Sequence, residues 1–211
     1  MRNKNEKILF YPIIVIALGR IIAMSLTPVL GEWTFIPLAI VYWGLTMIMV
    51  LKSQKKDGIK KMFLKTNGNA GWKLLSVIVG LIPLSILLMN LSLIKMDVVF
   101  VLWIVFALIN PFFEEIFWRG FLLSELPMKK WCRVLYSSVF FVVSQPIMWG
   151  FFSIANRSWM TIVSLSIMGI TWSVVYLKTK SLRWCVFSHF LVDIFNLSVY
   201  VFLNLYIPPV M

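Results

Sequence analysis

Apolar residues fall in long runs along this chain, and short polar segments, mostly basic, separate them. A bilayer core of about 30 Å takes roughly 20 apolar residues of helix to cross. On that measure the runs predict seven membrane-spanning helices, at about 8–29, 34–51, 74–94, 98–123, 134–154, 158–177 and 184–206. No period of 20–50 residues repeats, and no stretch is of low complexity. The predicted fold is therefore all-α, a polytopic integral membrane helical bundle. Its N-terminal helices and basic loop occupy 1–95, and a second core of helices occupies 96–206.

Composition supports the pattern. Of 211 residues 61% are apolar, against about 45–50% in soluble domains. A single soluble core of this size cannot hide so much apolar surface, which excludes an ordinary cytosolic enzyme, a disordered chain and a disulfide scaffold. The formal charge is +12, yet only 13% of residues are charged. Because the cations cluster between apolar runs, they point to topology and to membrane lipids as partners, not to nucleic acid.

Summed over alternate loops, one side carries 16 Lys and Arg and the other only Lys95 and Arg157. The larger sum comes from the N-terminus (Arg2, Lys4, Lys7), the seven Lys of 52–73 (including Lys55 and Lys65), 124–133 and 178–183. The positive-inside rule then places the N-terminus in the cytoplasm and the C-terminus outside, in a multi-pass plasma-membrane protein. The 52–73 segment reads as a topology anchor, with contact to anionic headgroups as the alternative. The first run has the charge order of a signal peptide but no small-residue cleavage site, so it reads as a retained anchor. Cys132 and Cys185 fit no metal or redox spacing and sit beside basic residues, which predicts reduced thiols.

Ionisable groups inside spans are costly and mark candidate chemistry. The fourth span ends in Asn110-Pro111-Phe112-Phe113-Glu114-Glu115-Ile116-Phe117-Trp118-Arg119-Gly120. Glu115 and Arg119 are four apart, suited to an ion pair on one helix face. Glu114 points about 100° away and stays outside that pair. An interfacial helix end is the alternative explanation of this cluster, disfavoured because Phe112, Phe113, Phe117 and Trp118 flank the two acids. Pro111 lacks a donor and is expected to loosen the helix one turn earlier. The last span holds the only histidine, His189, with Asp193 four residues on, where it can orient or charge-stabilise the imidazole. By depth His189 and Glu114 both fall in the inner half of the bilayer, so a shared cavity open to the cytoplasm is expected.

At these residues the chain resembles the CPBP intramembrane protease family, which comprises CAAX-prenyl proteases and the bacteriocin-processing and self-immunity proteins of the Abi group. Its EExxxR motif is matched by Glu114, Glu115 and Arg119, with Gly120 following, and its closing histidine motif by His189 and Asp193. The resemblance covers roughly 96–200. It departs at the middle FxxxH motif, where Phe141 is followed by Gln145 in the histidine's place. The resemblance implies an endopeptidase that hydrolyses a peptide bond of a membrane-associated peptide or protein with glutamate-activated water. Glu114, Glu115, Arg119, Gln145, His189 and Asp193 are then the candidate site.

A zinc site wants about three strong protein ligands. With one histidine, Glu114 and His189 would be the ligands if any, and zinc is disfavoured. If the middle histidine serves as an oxyanion donor, the amide of Gln145 can replace it. The alternative for Gln145 is a bond to a neighbouring helix, next to the irregularity expected at Pro146. The competing reading of the whole is a proteolytically inactive or weakened relative that binds a bacteriocin and confers immunity. A solute carrier is disfavoured by the lack of internal duplication. Trp33, Trp72, Trp131, Trp159, Trp184 and Tyr206 fall near span ends, as an interfacial belt would; Trp118, inside the acidic motif, does not. The 12 Met read as packing filler. Arg20, midway along the first span, has three outlets: snorkelling, an acid on another helix or a lipid phosphate.

Overall fold

The computed structural model describes residues 6–54, 56–64 and 69–207. Arg2, Lys4, Lys55 and Lys65, which entered the loop-charge sum, lie outside the described residues. Helices account for nearly all regular structure: α1 (Tyr11–Leu30), α2 (Phe35–Ser53), α3 (Lys56–Met62), α4 (Ala70–Gly80), α5 (Leu84–Met89) and α6 (Val98–Glu115) come first. A π-helical turn (Ile116–Phe121) and α7 (Leu122–Glu125) continue α6, followed by α8 (Lys130–Met148), α9 (Trp159–Thr179), α10 (Arg183–Phe195) and α11 (Ser198–Phe202).

Five stretches are long and apolar enough to cross a membrane. The first, Lys7–Ser53, contains both α1 and α2. Pro28 lies in the last turn of α1, and Gly31 takes the left-handed φ of 55° that turns the chain back. A contact of 3.4 Å between the hydroxyls of Tyr11 and Ser53 shows the two helices to be antiparallel.

The expected count of seven is not confirmed, since five stretches among the described residues meet the length and hydropathy of a span. Residues 184–206 do not form one continuous span. The 13-residue α10 stops at Phe195, and Leu197 adopts a left-handed conformation before the short α11 begins. The 74–94 run is interrupted between Gly80 and Leu84, where Pro83 cannot donate a helical bond.

Side-chain caps fix other helix starts. Asp97 accepts from Val99 N and Phe100 N at 2.9 and 3.1 Å, Asn69 from Gly71 N at 2.8 Å, and Ser158 from Met160 N at 3.2 Å.

Large apolar side chains line the outer faces of these helices: Ile13, Leu18 and Ile21 on α1, Val101 and Leu108 on α6, and Val163 and Ile167 on α9. In water such faces would be strongly destabilising, and a lipid surround is the solvent that suits them. The chain is a multi-pass membrane protein.

Its two ends differ. At the basic end Gln54 Nε2 donates to Glu125 Oε1 at 2.9 Å, Leu182 N to Met62 O at 2.8 Å, and Arg183 Nε to Phe63 O at 2.6 Å. The 52–73 segment is thus more than a tether, since α3 packs beneath the start of α10. At the opposite end Asn204 Nδ2 reaches Glu32 Oε1 at 3.2 Å and Phe152 O at 2.8 Å.

Both cysteines are free, Cys132 exposed and Cys185 buried. Arg20 donates to Ile147 O at 3.3 Å and lies 4.5 Å from the Phe151 ring centre, so a carbonyl and an aromatic face take it up, not an acid.

Trp33, Trp131 and Trp159 are exposed at span ends, as a belt requires. Trp103, Trp118, Trp149 and Trp172 are instead buried inside the bundle, where Trp149 stacks on Phe202 at 4.9 Å and packs edge-on to Phe106 at 6.2 Å.

Candidate active site

Three segments bring the predicted residues together. The helix through Asn110–Arg119 supplies the acids, α10 supplies His189 and Asp193, and α8 supplies Gln145. Pro111 does not end α6, and the irregularity falls five residues later in the π-helical turn. Such turns widen the helix locally and recur at functional sites. Glu114, Glu115 and Arg119 are all buried.

Glu115 is the hub. Its Oε1 accepts from Arg119 Nη1 at 3.0 Å and lies 2.9 Å from His189 Nδ1. The spacing of His189 and Asp193 suggested that Asp193 orients or charge-stabilises the imidazole. Asp193 Oδ1 lies 3.9 Å from Nε2, beyond hydrogen-bond reach but within ion-pair range, so Glu115 orients the ring and Asp193 is left the electrostatic part. A carboxylate can only accept, which puts a proton on Nδ1 and turns Nε2 toward Glu114 Oε2, 3.5 Å away. Trp172 stacks on the imidazole at 4.7 Å and donates to Ser188 Oγ at 2.9 Å, which locks the ring plane.

Arg119 is clasped rather than solvated. Its guanidinium carbon lies 4.1 Å from the Phe141 ring centre and 5.1 Å from that of Trp172. Its Nε and Nη2 find no acceptor among the described residues, and the two aromatic faces carry part of that cost.

Sequence reasoning overlooked Asn110, although it stands in the same motif. Its Nδ2 donates to Asp193 Oδ2 at 3.2 Å, and its Oδ1 accepts from Trp43 Nε1 at 3.0 Å. Trp103 Nε1 adds a bond to Asp193 O at 3.0 Å. A buried amide that satisfies two helices at once was legible as a polar residue inside a span; its partners were not. Trp118 donates to Tyr42 Oη at 2.7 Å, which ties the acidic motif to α2.

A cavity of about 70 Å³ adjoins the cluster, with room for a few waters. Glu114, Gln145, His189 and Asp193 line it, whereas Glu115 and Arg119 lie behind the wall. Its further polar lining, Asn156, Thr161 and Ser198, belongs to the end away from the basic loops. The cavity therefore runs toward the cation-poor end, not toward the basic end where the depth argument placed it. Gln145 forms no side-chain hydrogen bond to a described residue.

As for a metal, no group of three or more His, Cys, Asp and Glu among the described residues is disposed to hold an ion. Glu115 holds Nδ1 of the imidazole, which leaves Nε2 and Glu114 Oε2 facing each other as two ligands, where a zinc site wants about three.

Fold and cluster together define a multi-pass helical membrane protein with an acid-lined chamber between its helices. Over residues 96–195 the chain matches the Rce1-like family, described as type II CAAX prenyl endopeptidase Rce1-like. All six candidate residues fall inside the match, and the resemblance drawn from their motifs holds over it. No curated protein and no solved structure matches the chain.

Proposed function

We propose that this protein is an intramembrane endopeptidase that cleaves a membrane-associated peptide or protein. The observation that carries the reading is the pairing of Glu114 Oε2 with His189 Nε2 across 3.5 Å at the wall of a polar cavity. A water there can donate one proton to each acceptor and aim its oxygen lone pair at a carbonyl carbon.

As the oxygen attacks, Glu114 takes the proton and the carbonyl oxygen becomes an oxyanion. The Gln145 amide N–H lies on the same cavity and is suited to receive that charge. Collapse breaks the C–N bond, and Glu114 returns its proton to the leaving amine. Glu115 fixes the ring of His189, and the carboxylate of Asp193 favours an imidazolium when one forms. No step is routed through a metal.

Gln145 also favours a second reading, in which the chain has lost proteolysis and protects its cell by binding a bacteriocin or other membrane partner. One comparison separates the two: purified wild type and Glu114→Ala in detergent, each incubated with a peptide library and read by mass spectrometry. The protease reading expects cleavage by wild type alone. No cleavage by either, together with equal cellular protection by both, favours the binding protein. Gln145→His refines the result: lost cleavage marks the amide as the working donor, and increased cleavage marks a chain that has drifted from catalysis.

A further inference from the structure

At the basic end, away from the chamber, a cleft of about 500 Å³ opens between α7, the start of α8 and the end of α9. Lys130, Arg133 and Lys180 line it with the hydroxyls of Ser124 and Tyr176. No carboxylate pairs with any of the three cations among the described residues. Glu125, the nearest acid in sequence, accepts from Gln54, and its field reaches Tyr176.

Arg133 is held in place by backbone oxygens. Its Nε donates to Met128 O at 2.8 Å, and its Nη1 to Leu123 O and Ser124 O at 3.0 and 3.1 Å. Neutral carbonyls fix the guanidinium without cancelling its charge. Lys130 opens the 19-residue α8, and the residue before it, Lys129, makes no side-chain cap bond. The positive end of that helix dipole thus adds to the field of the cleft. The Ser124 hydroxyl donates to Gly120 O at 2.6 Å and stands 3.4 Å from that of Tyr176, which leaves the Tyr176 hydroxyl as the neutral donor beside the cations.

Depth argues for the source of the ligand. Trp131 is 59% exposed beside the cleft, and Lys130 Nζ lies 5.8 Å from its ring centre. An exposed Trp among cations at a helix end marks the headgroup level of a bilayer. We propose that this cleft binds the phosphate of an anionic phospholipid, a site separate from the chamber.

The test titrates the full-length protein in neutral detergent with short-chain phosphatidylglycerol, phosphatidylcholine or inorganic phosphate, and reads occupancy by native mass spectrometry. Saturable binding of phosphatidylglycerol is expected, roughly tenfold weaker in Lys130→Gln/Lys180→Gln. Lys129→Gln/Lys178→Gln removes the same charge outside the cleft and should leave affinity nearly unchanged. Lys130→Arg/Lys180→Arg should restore binding, which separates a lost site from a misfolded one. Equal binding of phosphatidylcholine, or an equal loss in both Gln pairs, would overturn the site in favour of general lipid or diffuse charge. Inorganic phosphate binding as tightly as the lipid would overturn the lipid assignment.

Discussion

Replacing Arg119 by Met tests whether the buried network is held between helices or merely within one. In mixed micelles the helices of an unfolded membrane protein persist, and the Glu115–Arg119 pair, four residues apart, persists with them. That bond therefore largely cancels from the unfolding free energy. What unfolding surrenders is the guanidinium between Phe141 and Trp172, at 4.1 and 5.1 Å, about 2 kcal/mol in a dry setting. It also surrenders the 2.9 Å contact of Glu115 with His189, about 1 kcal/mol by the scale of interhelical bonds in membranes. Arg119→Met removes the first and leaves a fully buried carboxylate short of a cation, for a total loss of about 3–5 kcal/mol. Adding Glu115→Gln discharges that carboxylate, so the double variant should recover to a loss of about 2 kcal/mol. The assay is reversible unfolding with rising SDS fraction, followed by tryptophan fluorescence, on the wild type, both singles and the double. A double variant as unstable as the sum of its singles, or an Arg119→Met loss below about 1 kcal/mol, would refute the reasoning.

Two further outcomes follow from the geometry. Asn110→Leu strips a donor from Asp193 and an acceptor from Trp43. It should cost about 2 kcal/mol in the same unfolding assay, and wild-type stability would dismiss the clamp. At Gly80 a methyl group would meet Ser188 O and Oγ at 2.9 Å, whereas at Gly44 nothing lies within 4 Å. Gly80→Ala should therefore lower stability by about 1–3 kcal/mol while Gly44→Ala is neutral or stabilising by up to about 1 kcal/mol, and a reversed order would show that α4 does not press on α10 as described.

Hydropathy made the helical, membrane-embedded class legible, because residues such as Ile13, Leu18 and Val101 face outward and nothing but lipid suits them. The break at Leu197 was not legible. No glycine or proline marks it, and a leucine in left-handed backbone is held by tertiary contact rather than by local preference. The interruption at Gly80–Pro83 did carry its signal in those two residues, but run length masked it. Within the site, four-residue spacing found Glu115–Arg119 and the ion pair of His189 with Asp193 yet missed the hydrogen-bond partner of His189, since only packing of α6 on α10 brings Glu115 to Nδ1. The internal tryptophans were missed for a similar reason. A run that ends in Trp reads the same whether the ring meets headgroups or, like Trp172, roofs an imidazole.

The left-handed turn at Leu197 folds α11 back against the chamber, where Ser198, Val201 and Phe202 supply part of its lining. A late stretch of the chain thus serves as a stopper for the interior rather than as a trailing segment. Truncation before Ser198 would unseat Phe202 from Trp149 and Phe106 and flood the apolar side of the chamber. Affinity handles and fluorescent fusions are accordingly better carried at the other terminus, away from that plug.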